Sequence, residues 1–176
     1  MPYQSFEDQV VDSDSVGKLS KLGFPQDFSG KSFLDLGCNE GFFCIEAKNR
    51  GASNVVGVDI NIEFINKARE RDNRITYICG DWNEIPDEKF DYILFASSMH
   101  YITNHKEFFK NIYNHLKDDG LFILEAGAID KRGKFWSLIP RGKINIYYPT
   151  IDLLMEDILN DYAVRWIDNS VNQAGD

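Results

Sequence analysis

The chain has 176 residues, the length of one domain rather than two. Its 43% hydrophobic and 14% aromatic content is that of a packed globule and excludes a disordered chain. A formal net charge of −9 disfavours recognition of nucleic acid through phosphate neutralisation, and no apolar run approaches a membrane span. The histidines His100, His105 and His115 form no H-x-x-x-H pair, and Cys38, Cys44 and Cys79 lack zinc spacing, so no metal site is expected. The first residues, Met1-Pro2-Tyr3-Gln4-Ser5-Phe6-Glu7-Asp8, carry no basic-then-apolar leader. With an odd cysteine count this predicts reduced, buried thiols and a cytoplasmic protein.

Residues 1–12 read as irregular. Ser13-Asp14-Ser15 can cap a helix to about Leu22, with Val16, Leu19 and Leu22 at helical spacing. Gly23, Pro25 and Gly30 mark a loop. Residues 1–30 therefore read as a cap, either a lid over a ligand or a cover for one sheet edge, and residues 31–176 as the domain proper.

The stretch Phe33-Leu34-Asp35-Leu36-Gly37-Cys38-Asn39-Glu40-Gly41-Phe42-Phe43 is an apolar strand, a glycine turn and the start of a helix that runs to Arg50, where Gly51 stops it. Such a turn is expected to offer free N–H groups at a helix N-terminus. Asp35 places a carboxylate before it, which suits a cationic or donor ligand better than a phosphate. A dinucleotide fingerprint would need glycines where Asn39 and Phe42 stand. Asn54-Val55-Val56-Gly57-Val58-Asp59 reads as a fully buried parallel strand. Its terminal Asp59, about 20 residues past the turn, is placed to accept from a ribose diol. A cap for the following helix, Ile62–Arg71, is the other role open to it.

Ile75–Cys79 is the third strand, closed by Gly80-Asp81-Trp82, with Trp82 either at a ligand or in the core. Phe90–Ala96 is the fourth, ending in Ser97-Ser98-Met99-His100-Tyr101. The loops after the first and fourth strands are expected to face one another across the crevice where strand order reverses. His100 is a candidate general base and Tyr101 a competing proton acceptor or orienting group; a surface or capping role for the histidine is the alternative. Asn104–Leu116 is an amphipathic helix, Lys117-Asp118-Asp119-Gly120 a turn, and Leu121–Ala126 the fifth strand. Ile151–Asn160 reads as a further helix and Ala163–Ile167 as a sixth strand.

The D-x-G-x-x-x-G turn at Asp35, Gly37 and Gly41 is one of four ordered signals. The others are Asp59, the Gly-Asp-Trp turn at Asp81 and the strand-turn-strand from Phe90 to Glu125. Together they resemble the class I S-adenosylmethionine-dependent methyltransferases, over about residues 30–168. The resemblance implies an α/β, Rossmann-like sheet with helices on both faces and S-adenosylmethionine as cofactor. It implies cofactor contacts from Asp35, Gly37, Asn39, Gly41, Asp59, Ile60, Asp81, Trp82 and Ser97, with Asp81 at the adenine amino group and Ser97 contributing backbone near the sulfonium. The family's sheet ends in a two-strand hairpin with an antiparallel edge. The sequence reads as ending after the first of those strands, so the final edge strand is expected to be missing, through truncation, supply of the strand from elsewhere or a naturally short variant. An unpaired edge would invite pairing with another chain, such as a second copy in a homodimer.

Residues 128–149 form an insertion beside the same crevice, basic and aromatic in an acidic chain. Arg132 and Arg141 suit a phosphate or carboxylate; Trp136 and Tyr147 suit a sugar or aromatic face. A solvated, charge-decorated loop is the plainer alternative. The Cys38–Phe43 form of the turn, Tyr148-Pro149-Thr150 and Gln173-Ala174-Gly175-Asp176 are similar to methyltransferases associated with bacterial capsule and O-antigen synthesis. The expectation is methyl transfer to a small, anionic acceptor, a sugar or sugar phosphate with its hydroxyl methylated, and neither nucleic acid nor membrane as partner. Two other classes are open: a cofactor-binding partner of a catalytic subunit, and a nicotinamide oxidoreductase, against which Asn39 and Phe42 count.

Overall fold

The structure is a computed structural model that describes Gln4 and residues 15–141 and 144–165. Five strands, β1 (Ser32–Leu36), β2 (Asn54–Asp59), β3 (Thr76–Cys79), β4 (Phe90–Ala96) and β5 (Leu116–Glu125), form one sheet in the order β3-β2-β1-β4-β5. Every pairing in it is parallel, with Asp35 level with Gly57 on one side and Leu94 on the other. Parallel strands need crossovers, and helices supply them: α2 (Phe42–Asn49), α3 (Ile62–Arg71) and α4 (His105–His115), with α1 (Ser15–Lys21) preceding β1.

Side chains alternate across the sheet, so β1 feeds two cores. Phe33 joins Phe24, Phe28, Phe43, Ala47 and Val55 on the face covered by α1, α2 and α3. Leu34 and Leu36 join Phe95, Phe108, Phe109 and Ile112 on the α4 face. All five residues of β1 are buried, as expected for a central parallel strand. Phe24 and Phe28 are 2% and 0% exposed, so the later part of residues 1–30 is integral to the core and not only a cover. Ser13 and Asp14, expected to cap α1, lie outside the described residues.

Several expectations need correction. The Lys117–Gly120 turn is absorbed into β5 as an irregularity: Phe90 pairs with Leu116, Tyr92 with Leu121, and the polar residues between bulge out. The insertion is not a loop but an antiparallel hairpin, β6 (Trp136–Arg141) and β7 (Ile144–Pro149). The helix expected over Ile151–Asn160 is one α turn, α5 (Ile151–Leu153), continued by a π-helical turn, Leu154–Ile158. Ala163, Val164 and Arg165 are not in a strand, and Trp166 and Ile167 lie outside the described residues, as does Gln173–Asp176. Among the described residues no antiparallel strand joins the main sheet. Cys38 and Cys44 are buried, but Cys79 is exposed because it ends the edge strand β3.

Candidate active site

Strand order reverses between β1 and β4, and a cavity of about 920 Å³ opens there, beyond the carboxyl ends of the strands. Of the residues expected at a cofactor, Asp35, Gly37, Asn39, Asp59, Ile60, Asp81, Trp82 and Ser97 line it, and so do His100 and Tyr101. Gly41 does not. It begins α2 at φ 87°, and a Cβ there would collide with the Tyr77 hydroxyl, so its role is to let the turn close onto the core. Gly37, at φ 81°, faces the loop after β4: a Cβ would sit 3.2 Å from Ser98 Oγ. The loops after β1 and β4 thus meet across one crevice, as expected.

The turn does not offer free amides, contrary to expectation. Gly37 and Cys38 donate to the Val58 carbonyl at 2.8 and 3.0 Å, and Gly41 to the Cys38 carbonyl at 2.9 Å. The Asn39 amide donates to Asp59 Oδ2 at 2.9 Å, and Glu40 to the Asn39 side chain at 2.8 Å. Phe42, the first residue of α2, donates to Gln4 Oε1 at 3.0 Å, while Gln4 Nε2 donates to the Cys38 carbonyl at 3.1 Å. Every N–H from residue 37 to residue 42 therefore has a protein acceptor. Asn39, at φ 52°, holds the left-handed bend that makes this possible. Glu40, fully buried, ties the turn to α3 through Lys67 at 2.8 Å and Arg71 at 3.2 Å.

The acids differ in setting. Asp59 is half-buried at the end of β2 and accepts the Asn39 and Asn61 amides, one on each oxygen, at 2.9 Å. Asn61, not Asp59, caps α3, by accepting from the Glu63 amide. Each Asp59 oxygen keeps a second lone pair for a ligand hydroxyl. Asp81 is exposed and closes its own turn by accepting from Asn83 at 2.7 Å. Asp35 is 2% exposed and faces the α2 layer, with the Cys44 thiol 3.7 Å from Oδ2. Burial pushes its carboxyl up to about 8, partly offset by the Cys44 contact and reinforced by the charge of Asp59. Burial likewise pushes the Cys44 thiol well above its ordinary value. Trp82 lines the cavity and packs edge-on against Phe95 and Phe108, 5.4 and 6.1 Å between ring centroids.

His100 and Tyr101 lie on a short 3-10 turn, Met99–Tyr101, with their rings 4.0 Å apart. His100 is half-buried and Tyr101 exposed at the mouth. Ser97 adopts φ 57°, a conformation that costs an L-residue about 1–2 kcal/mol. Of the four residues expected at the substrate, Arg132, Trp136 and Tyr147 do not line the cavity. Arg132 and Tyr147 are exposed, and Trp136 stacks on His105 at 4.6 Å. Among the described residues of the hairpin, Ile146 reaches the wall. The side chain of Arg141 lies outside the described residues. Sequence reasoning missed Gln4, Lys18 and Ile146 at the cavity. Nothing local marks them, since each arrives from a distant element.

No group of three or more His, Cys, Asp or Glu side chains among the described residues is placed to hold a metal ion. No described helix is long and apolar enough to cross a membrane.

Comparison with known proteins agrees with this geometry. The sequence profile of a family described as a methyltransferase domain matches residues 27–143. A histidine protein methyltransferase 1 homolog of Dictyostelium discoideum is 33% identical over 166 residues, spanning 83% of this chain and 52% of that protein. A tRNA U34 carboxymethyltransferase of Campylobacter curvus is 29% identical over 163 residues, spanning 84% and 54%. The chain thus spans about half the length of these curated relatives. Among solved structures, an S-adenosylmethionine-dependent methyltransferase of Mesorhizobium loti superposes with a TM-score of 0.67 at 22% identity, over 83% of this chain and 80% of that one. One from Thiobacillus denitrificans, in complex with S-adenosylhomocysteine, gives 0.55 at 18% identity, over 76% and 54%.

Proposed function

The chain belongs to the class I S-adenosylmethionine-dependent methyltransferases, and from that premise we propose that it methylates a hydroxyl of a small, anionic acceptor. The turn from residue 37 to residue 42 carries the assignment of ligand class. A pyrophosphate-bearing dinucleotide needs unpaired amides at a glycine turn. Here those amides are all taken by protein acceptors, and the carboxyl groups of Asp59 and Asp81 line the cavity beyond them. That suits a ligand with a ribose diol, an adenine amino group and an ammonium, and disfavours a nicotinamide dinucleotide.

On this reading Asp59 accepts from the ribose hydroxyls and Asp81 from the adenine amino group. Asp35 and Asn39 take the amino-acid end, and Trp82 packs along the base. When bound, the cofactor supplies an electrophilic sulfonium methyl whose transfer leaves a neutral thioether. The protein's task is alignment, because near-attack placement accounts for much of such a barrier. Ser97 fixes the end of β4 beside the reacting centre. His100 takes the proton that the acceptor hydroxyl releases, since imidazole titrates near neutrality. Tyr101 and Ile146 bound the acceptor side of the cavity. At about 920 Å³ the space is near the upper end for one ligand, with room for a cofactor and a small second molecule. The anionic preference rests on the basic character of residues 128–149 in an acidic chain, Arg132 itself being exposed and outside the cavity wall.

An acceptor screen with methyl-labelled S-adenosylmethionine tests the reading. Sugar phosphates and neutral sugars are offered beside tRNA and histidine-containing peptides, the last two because of what the relatives are named for. Label in a phosphorylated or carboxylated small molecule, lost in His100→Ala with cofactor binding kept, is the expected result. Label confined to tRNA or peptide refutes the acceptor assignment and leaves the cofactor assignment standing.

A further inference from the structure

A buried charge pair at the rim of the cavity has no part in the scheme above. Lys18 on α1 is 6% exposed, and Glu125, the last residue of β5, is 9% exposed. Lys18 Nζ lies 2.9 Å from Glu125 Oε2 and donates to Ser97 Oγ at 3.0 Å. The Ser97 hydroxyl donates to that same carboxylate oxygen, and the Ser97 amide donates to the Glu125 carbonyl at 2.9 Å. Ser97 is one of two non-glycine residues with positive φ among the described residues. A side chain persists in that conformation only where its surroundings over-determine it. Here α1 and β5 hold it from two sides. The anchoring of α1 does not itself require a buried lysine, since Leu19 already packs in the core.

We propose that Lys18 is a positioning residue: paired with Glu125, it locks Ser97 beside the reacting methyl group and latches α1 across the cavity. The inference rests on the reading that places Ser97 at the sulfonium end of the cofactor. Lys18 and Ser97 both line the cavity, so the latch is part of its wall. It gives the segment before β1 a definite task. The helix brings one cation to the end of β4, and the geometry there depends on the helix staying docked.

Removing one partner of a buried pair strands the other charge, whereas removing both is tolerated far better. The double variant Lys18→Met/Glu125→Gln therefore separates positioning from bulk stability. S-adenosylmethionine labelled with 13C at the methyl is bound to the native protein and to the variant. Affinity is read by calorimetry, the bound-methyl resonance by NMR, and α1 by amide hydrogen exchange. The variant is expected to melt within a few degrees of the native protein. Its α1 amides should exchange about tenfold faster, and its bound-methyl resonance should shift and broaden as Ser97 leaves its single conformation. Lys18→Gln, which keeps a donor to Ser97 but strands the Glu125 charge, is the harsher second variant and should move both readouts further in the same direction. A folded variant with native α1 exchange and a native methyl resonance overturns the proposal. Native protein that binds no S-adenosylmethionine overturns the cofactor placement instead, and α1 exchange in the ligand-free variants then decides the latch alone.

Discussion

Replacing Asp35 with asparagine should make the protein more stable at neutral and alkaline pH. The carboxyl sits in an apolar layer, and burial pushes it up to about 8. In an unfolded chain an aspartate titrates near 3.9, as an approximate reference. Between these values the native state holds a proton that the unfolded state has released, so native stability falls as pH rises. The slope is about 1.4 kcal/mol per pH unit for one fully differing group. From pH 4 to pH 7 the loss is on the order of 4 kcal/mol, complete once pH passes the native value. Asparagine is nearly isosteric with the protonated acid and carries no such slope. The two proteins should therefore match near pH 4 and diverge above it.

For a chain of this size about 4 kcal/mol corresponds to roughly 8–16 °C in melting temperature. Denaturation followed by far-UV circular dichroism between pH 4 and pH 9, on native protein and Asp35→Asn, measures the difference curve and cancels every other titrating group. Parallel curves refute the reasoning, because the Asp35 carboxyl would then be ionised in the native state at no cost. Binding provides a second arm. A ligand ammonium reaching Asp35 favours the ionised form, so S-adenosylmethionine should release about one proton at pH 7. Calorimetry in buffers of different ionisation enthalpy counts it, and Asp35→Asn should release none.

Asp59→Ala removes the group assigned to the ribose and should weaken S-adenosylmethionine about 100-fold by calorimetry, the size of two charge-assisted hydrogen bonds after desolvation; affinity within threefold of native refutes the assignment. Gly57→Ala places a Cβ 2.9 Å from Cys38 Sγ, Cys44 Sγ and Tyr77 Cδ1, and should cost about 1–3 kcal/mol in urea denaturation. Asp91 lies at the opposite end of the sheet. Burial raises its carboxyl, but hydrogen bonds from Lys117, Ser32 and Lys31 outweigh this and hold it below the ordinary carboxylate range. Its stabilisation is present above the unfolded value and disappears as pH falls through the native one. Asp91→Asn should therefore cost about 1–2 kcal/mol at pH 7, discounted for the exposed lysines, and progressively less below pH 4.

The sheet and its switch point were legible because their signals are local. Val55 to Val58 form an unbroken apolar run, Asn61 starts α3 at the expected place, and Asp59 follows Gly37 at the spacing the crevice requires. The hairpin was not legible because Pro140 and Pro149, residues that disfavour a central strand, stand in it, and because the adjacent Leu138 and Ile139, both exposed, give β6 no apolar-polar alternation. Lys117-Asp118-Asp119-Gly120 has turn chemistry, and the structure honours it as a bulge rather than a break.

The internal pairing of the glycine turn was hidden for a different reason. Glycine at residues 37 and 41 says that the backbone bends, but not where its amides go. Their partners come from across the fold: Gln4 is 38 residues from Phe42, and Asp59 is 20 from Asn39. The same holds for Lys18 and Glu125, separated by 107 residues. A motif therefore specifies the shape of this crevice, while side chains from remote segments decide whether it meets a ligand with donors or with acceptors. That choice separates a site for a phosphate from a site for a sulfonium nucleoside on nearly the same strand-turn-helix.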